Sequence, residues 1–170
     1  MDRSIFVRVI NRGAASVVAG GYHSMVLKHD GSVWATGWNE DGQLGDGTRM
    51  DQHNYVQVVK HGAKVVAAGR RHSMMLKEDG SVWTTGYNKH GQLGAGLAKI
   101  SHIVFIKVIY EGVKTIAAGA FHSMVLKEDG SIWAAGSNED GQFGDGTTLS
   151  RESFVRLDPL RNGSEYIYTK

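Results

Sequence analysis

His23, His72 and His122 each stand directly before a serine, and a histidine drawing the proton from a serine hydroxyl is the working pair of nucleophilic catalysis. Adjacent residues on an extended strand point to opposite faces, so Ser24, Ser73 and Ser123 cannot share a proton with the histidine beside them. The imidazoles recur at spacings of 49 (23 to 72) and 50 (72 to 122), and a ring of them could hold a metal ion or an anion. One site needs one such set, whereas every copy carries the residue. The repetition is explained if each imidazole bonds a backbone group and ties adjacent strands, so no metal site is expected.

The run Asn39-Glu40-Asp41-Gly42-Gln43-Leu44-Gly45-Asp46-Gly47 has the oxygens and glycines of a calcium loop, and Asn138 to Gly146 copies it. In the middle copy the acids become Lys89, His90 and Ala95, and a hard cation needs several oxygen ligands. Turn chemistry accounts for all three copies: the glycines take left-handed φ, and Asn39, Asn88 and Asn138 cap a turn with their own side chains. The glycine spacing matches neither nucleotide-binding fingerprint, and no helix follows to face a phosphate. No catalytic set and no cofactor site emerge, and the chain is expected not to be an enzyme.

Composition narrows the partners. Nineteen basic against 17 acidic residues leave a net charge of +2, with the bases scattered, so there is no signal for nucleic acid. The chain has no cysteine, hence no disulfide framework and no thiolate chemistry. No signal peptide and no apolar stretch of the roughly 18 residues that span a bilayer are present, so no membrane role is expected and an intracellular setting is favoured without fixing a compartment.

The elements that must position these residues come from a repeat. HSMVLKHDGSVWATGWNEDGQLGDGT from His23 returns as HSMMLKEDGSVWTTGYNKHGQLGAGL from His72 and HSMVLKEDGSIWAAGSNEDGQFGDGT from His122. Aromatic residues open a further apolar run at Phe6, Tyr55, Phe105 and Phe154. A fixed period of about fifty residues signals a propeller or solenoid. Within one unit Val65-Val66-Ala67-Ala68 reads as a crowded inner strand. Ser73 to Lys77 turns through Asp79-Gly80 into Ser81 to Thr85, since Asp-Gly between apolar runs marks a hairpin. A loop then leads to a fourth strand, Phe105 to Ile109. Four antiparallel strands make a propeller blade, apolar on both faces because it stacks between two others. The expected fold is all-β, one domain over 1–170, with three blades at about 16–59, 65–109 and 115–157, a surplus N-terminal strand at 5–9 and a C-terminal tail at 158–170.

The string G-x-x-H-S-x-x-L-x-x-D-G-x-V/I-W-x-x-G-x-N-x-x-G-Q-L/F-G-x-G, present three times, resembles the RCC1 (regulator of chromosome condensation) repeat over roughly residues 6 to 157. The resemblance implies a β-propeller, commonly of about seven blades, in a family that includes a nucleotide-exchange factor for a nuclear GTPase, a plant ultraviolet photoreceptor and an inhibitor of β-lactamases. Such a family shares a fold and not a function. Three blades do not close a ring of about four to eight, so self-association into a homo-oligomer, or a longer chain, is expected to complete it.

Trp34, Trp83 and Trp133 recur with the repeat and are expected to fill space between blades. Positions that the repeat does not dictate are the candidate protein contacts, because repeat proteins place specificity on what varies over a regular scaffold. Before each histidine stand Gly21-Tyr22, Arg70-Arg71 and Ala120-Phe121, and after the third strand Trp38 is matched by Tyr87 and Ser137. The loops to the fourth strand add Arg49, Lys99 and Arg151. The expected protein-binding set is therefore Tyr22, Trp38, Arg49, Arg70, Arg71, Tyr87, Lys99, Phe121 and Arg151. These residues describe a non-enzymatic protein-interaction scaffold; the alternatives are a guanine-nucleotide exchange factor for a small GTPase and a self-assembling structural propeller fragment.

Overall fold

The computed structural model describes residues 9–10, 12–96 and 100–157. Their strands fall into three four-stranded antiparallel sheets, each in simple up-and-down order. The first blade is β1 (Ala14–Ala19), β2 (His23–Lys28), β3 (Val33–Gly37) and β4 (Gln52–Val59); the second is β5 (Ala63–Ala68), β6 (His72–Lys77), β7 (Val82–Gly86) and β8 (His102–Ile109); the third is β9 (Val113–Ala118), β10 (His122–Lys127), β11 (Ile132–Gly136) and β12 (Arg151–Leu157). No helix occurs among the described residues, and so none is long and apolar enough to cross a membrane. The inner strands β1 and β5 begin about two residues earlier than their apolar runs, because pairing with β2 and β6 continues past a bulge to Ala14 and Ala63. β8 likewise begins at His102, which pairs with Gly86 across a register shift, so the polar start of this outer strand is part of the ladder.

Each hairpin between the second and third strands is closed by its Asp-Gly pair. Asp79 Oδ1 accepts the Ser81 backbone N–H at 2.9 Å, and Gly80 takes φ +77°, which a side chain adopts only under strain. Trp83 Nε1 then donates to Ser81 Oγ at 2.9 Å while Lys77 lies over its ring, 4.4 Å from the centroid. Trp83 and Trp133 pack between blades, whereas Trp34 lines a groove on the first blade; in all three one ring edge is tied to its own hairpin serine.

The core lies between blades rather than within them. Met25, Leu27, Val33, Ala35 and Leu44 of the first blade pack against Ala63, Val66 and Met75 of the second. Met74, Leu76 and Val82 on the opposite face of that blade pack against Val113, Ile116 and Val125 of the third. The middle blade is thus buried on both faces, and its adjacent methionines Met74 and Met75 are 0% and 1% exposed. The glycine-rich loop of each blade also grips the outer strand of the next: Gly47 N–H donates to the Ile103 carbonyl at 2.9 Å and Gly96 N–H to the Glu152 carbonyl at 3.0 Å.

Most of the surplus strand expected at 5–9, and the tail at 158–170, lie outside the described residues. Val9 and Ile10 line a groove on the first blade with Lys28, Trp34 and Tyr55. Val108 and Ile109 of β8 line the corresponding groove on the third blade with Lys127, Trp133 and Phe154. Val9 and Ile10 thus stand beside the first blade where Val108 and Ile109 stand beside the third.

Candidate protein-contact basin

The blades are registered against each other by a buried histidine–serine–carbonyl chain. His23 Nε2 lies 2.8 Å from Ser73 Oγ and His72 Nε2 lies 3.0 Å from Ser123 Oγ. Each serine gives its one proton to a backbone carbonyl of the preceding blade, Ser73 to Gln43 and Ser123 to Gln92, both at 2.7 Å. The imidazole must therefore carry hydrogen on Nε2 and donate to the serine. This corrects the expectation of a backbone partner: the acceptor is a hydroxyl, and the bond joins neighbouring blades, not adjacent strands of one. It also removes the histidines as bases toward these serines, since the nitrogen in contact is already protonated. Burial lowers His23 to about 4. Burial, with the nearby His23 and His122 adding, lowers His72 to about 3, so both are neutral at pH 7.

The asparagine oxygens of the glycine-rich loops, and Asp46 Oδ1, are similarly committed. Asn39 Oδ1 accepts the Leu44 N–H at 3.0 Å, Asn88 the Leu93 N–H at 3.0 Å and Asn138 the Phe143 N–H at 2.8 Å. Asp46 Oδ1 accepts from Asn39 and from both the backbone and hydroxyl of Thr48. These loops use their polar atoms to hold themselves.

With the blades locked in register, the three turns before β2, β6 and β10 come side by side, and their unlike residues meet. Arg70 lies between Tyr22 of the first blade and Phe121 of the third, its guanidinium 5.8 and 5.6 Å from the ring centroids. It donates to Tyr22 Oη at 3.2 Å, and this bond and charge hold the phenol below its usual pKa. Arg71 lies between Trp38 and Tyr87, 4.6 and 4.5 Å from their centroids, and pairs with the Asp41 carboxylate at 2.6 Å. Tyr22 meets Trp38 edge-on at 5.7 Å. His90 closes the other side, 6.1 Å from Tyr87 and 5.0 Å from Phe121. The result is a closed circuit of rings and guanidiniums around a basin of about 670 Å³.

Six of the nine candidate contacts, Tyr22, Trp38, Arg70, Arg71, Tyr87 and Phe121, line this basin. Arg49 and Arg151 do not. Arg49 turns back to donate to the Glu40 carbonyl, and Arg151 donates to the Leu149 carbonyl at 3.1 Å with Asp145 4.0 Å away. Lys99 lies outside the described residues. His90 belongs to the basin although sequence reasoning read it only as a lost calcium ligand. The signal that finds it is the one that found Trp38: its counterparts are Asp41 and Asp140, so the repeat does not dictate it. An aromatic and arginine surface of this kind, half-exposed and rigidly held, is the composition of a protein-contact patch.

Comparison with known proteins adds the family. A model described as the regulator of chromosome condensation (RCC1) repeat matches residues 14–43, 63–92 and 113–142, and a second of the same description matches 30–76 and 79–126. Among solved structures, human WBSCR16 superposes with a TM-score of 0.73 at 22% identity, over 84% of this chain and 37% of that one. Prp20p from Saccharomyces cerevisiae, described with its binding properties to Gsp1p and histones, gives 0.73 at 22% identity over 86% of this chain and 39% of that one. Yeast RCC1 (Prp20) bound to Kap60 gives 0.68 at 20% identity, over 86% and 37%. At these identities the likeness is one of fold, and the chain spans 37 to 39% of the length of these three structures.

Proposed function

The chain belongs to the RCC1 repeat family, and from that premise we propose that it is a non-enzymatic protein-interaction module whose contact surface is the Arg70–Arg71 basin. The carrying observation is that the basin is assembled from the positions at which the copies differ, while the residues that fix its geometry are the same in every copy. His23, His72 and His122 are identical, and so are Asn39, Asn88 and Asn138; Tyr22, Arg71 and Phe121 occupy one repeat position and share nothing but their place. A fold that needs only turns would not stack two guanidiniums among four aromatic rings at one edge.

Replacement of Trp38 or Phe121 by alanine is expected to weaken capture of a partner by about tenfold or more, as for aromatic anchors elsewhere, with the unfolding midpoint nearly unchanged because both side chains stand outside the inter-blade core. A partner bound equally well by both variants would remove the basin from the interface. Exchange activity on a small GTPase is the second reading, favoured by the structural likeness to Prp20p, whose own description names Gsp1p. Release of fluorescent GDP from small GTPases separates the two: acceleration would establish exchange, and its absence with intact binding leaves the module reading.

A further inference from the structure

Arg70 and Arg71 are neighbours in the chain but differ in charge balance. Arg71 is neutralised by Asp41 at 2.6 Å. Arg70 has no carboxylate within ion-pair reach among the described residues. It gives one hydrogen bond, to Tyr22 Oη, and a guanidinium carries five N–H donors in a fixed fork, so most of its donors remain open at the exposed edge of the basin. Tyr22 oxygen accepts from Arg70, which leaves its own O–H free to donate. Two kinds of donor and one unbalanced positive charge converge there between aromatic walls.

Resting on the reading of the basin as a protein-contact surface, we propose that Arg70 and Tyr22 form a carboxylate-reading subsite. It takes one Asp or Glu side chain of a partner segment, whose neighbouring apolar residue packs on Trp38, Tyr87 and Phe121. Charge selects the carboxylate: one unpaired cation balances one negative charge, whereas a phosphoryl group brings about −1.5 to −2. The fork also matches both carboxylate oxygens at once. Because Tyr22 and Phe121 already hold the guanidinium, little side-chain freedom is lost when the partner arrives. Arg71, pinned between the first and second blades, serves the shape of the basin and not its charge.

The test is selection of a random phage-displayed peptide library on the immobilised full chain, followed by fluorescence polarisation with synthetic peptides. Selected peptides are expected to carry Asp or Glu close to an aromatic or aliphatic residue. Changing that acid to its amide is expected to weaken binding about tenfold, R70Q to do the same, and the two changes together to cost no more than either alone. R70K restores part of the loss. Peptides that lose affinity on Trp38→Ala but not on R70Q, or that carry no acid, overturn the carboxylate subsite and leave the basin as a contact surface. A phosphoserine peptide that binds more tightly than its aspartate counterpart overturns the choice of carboxylate. Peptides indifferent to both Trp38→Ala and R70Q, or no enrichment at all, overturn the subsite together with the basin. An unchanged urea midpoint for R70Q, whose side chain is exposed, verifies that the fold is intact.

Discussion

His72 shows how much a single side chain does here. It is fully buried, donates through Nε2 to Ser123, and is held neutral by burial. Its folded pKa of about 3, like that of about 4 for His23, lies below the ordinary value of 6.5. The unfolded chain therefore takes up protons below pH 6.5 that the folded chain refuses, so the stabilisation is present above that pH and is lost as pH falls to about 4 for His23 and about 3 for His72. Going from pH 7 to pH 5 is expected to cost about 2 kcal/mol for each of the two histidines. Urea midpoints at the two pH values measure this. His72→Gln is expected to be less stable at pH 7 and to have a flatter pH response; an equally steep response would place the proton uptake elsewhere. Asp41→Asn acts on the other class of buried-edge contact. It leaves the Arg71 cation without its partner, and because both groups are partly exposed the loss is expected to be about 1 kcal/mol, read as a lower melting temperature.

The hairpins place the largest demand on one residue type at one position. Gly80 sits at φ +77°, and a Cβ built on it would come 3.0 Å from the Gly112 nitrogen of the third blade. Gly80→Ala is therefore expected to cost about 1–2 kcal/mol from the left-handed backbone alone, measured by chemical denaturation against Lys64→Ala, an exposed control on β5. Such turns were legible in the sequence because the Asp-Gly pair and its serine act locally. The ends of strands were less so: Ala63 and His102 are recruited by the ladder of a neighbouring strand, which no local pattern encodes. The histidine bond was misread for the same reason, since its partner lies 50 or 51 residues away. A spacing one residue longer than the repeat was the available signal, as it pairs each histidine with the serine that follows its counterpart on the next blade. The basin was legible as a set of departures from the repeat, and it converges because the end of each third strand lies beside the turn before the histidine: Trp38 N–H donates to the Tyr22 carbonyl and Tyr87 N–H to the Arg71 carbonyl, both at 2.9 Å. Arg49 looked equivalent by that criterion. Its donors are spent on a carbonyl of its own blade's loop, a choice set by loop geometry and not by residue type.

Across the whole molecule, the two internal junctions are copies of one design: a histidine and a loop glycine amide on one blade, a serine and an outer-strand carbonyl on the next. The third blade presents His122 half-buried beside Phe143, 6.3 Å between rings, and the first presents Ser24, partly buried. They correspond to the histidine and serine halves of the two internal junctions. Self-association through them is proposed on that ground, with His122 of one copy donating to Ser24 of another. The groove lined by Val9 and Ile10 on the first blade is the point of conflict. By analogy with Val108 and Ile109 of β8, the place lined by Val9 and Ile10 is the one an incoming β12 would take. Association therefore requires that segment to yield, and a chain beginning at Gly13 is expected to associate more tightly than the full chain. Sedimentation velocity over about 1–100 μM, a range in which a junction worth about 6–8 kcal/mol would populate dimers, reads the outcome. His122→Ala and Ser24→Ala should each weaken the association. A full chain and a shortened chain that both sediment as single copies throughout would assign these two blade faces to a different partner.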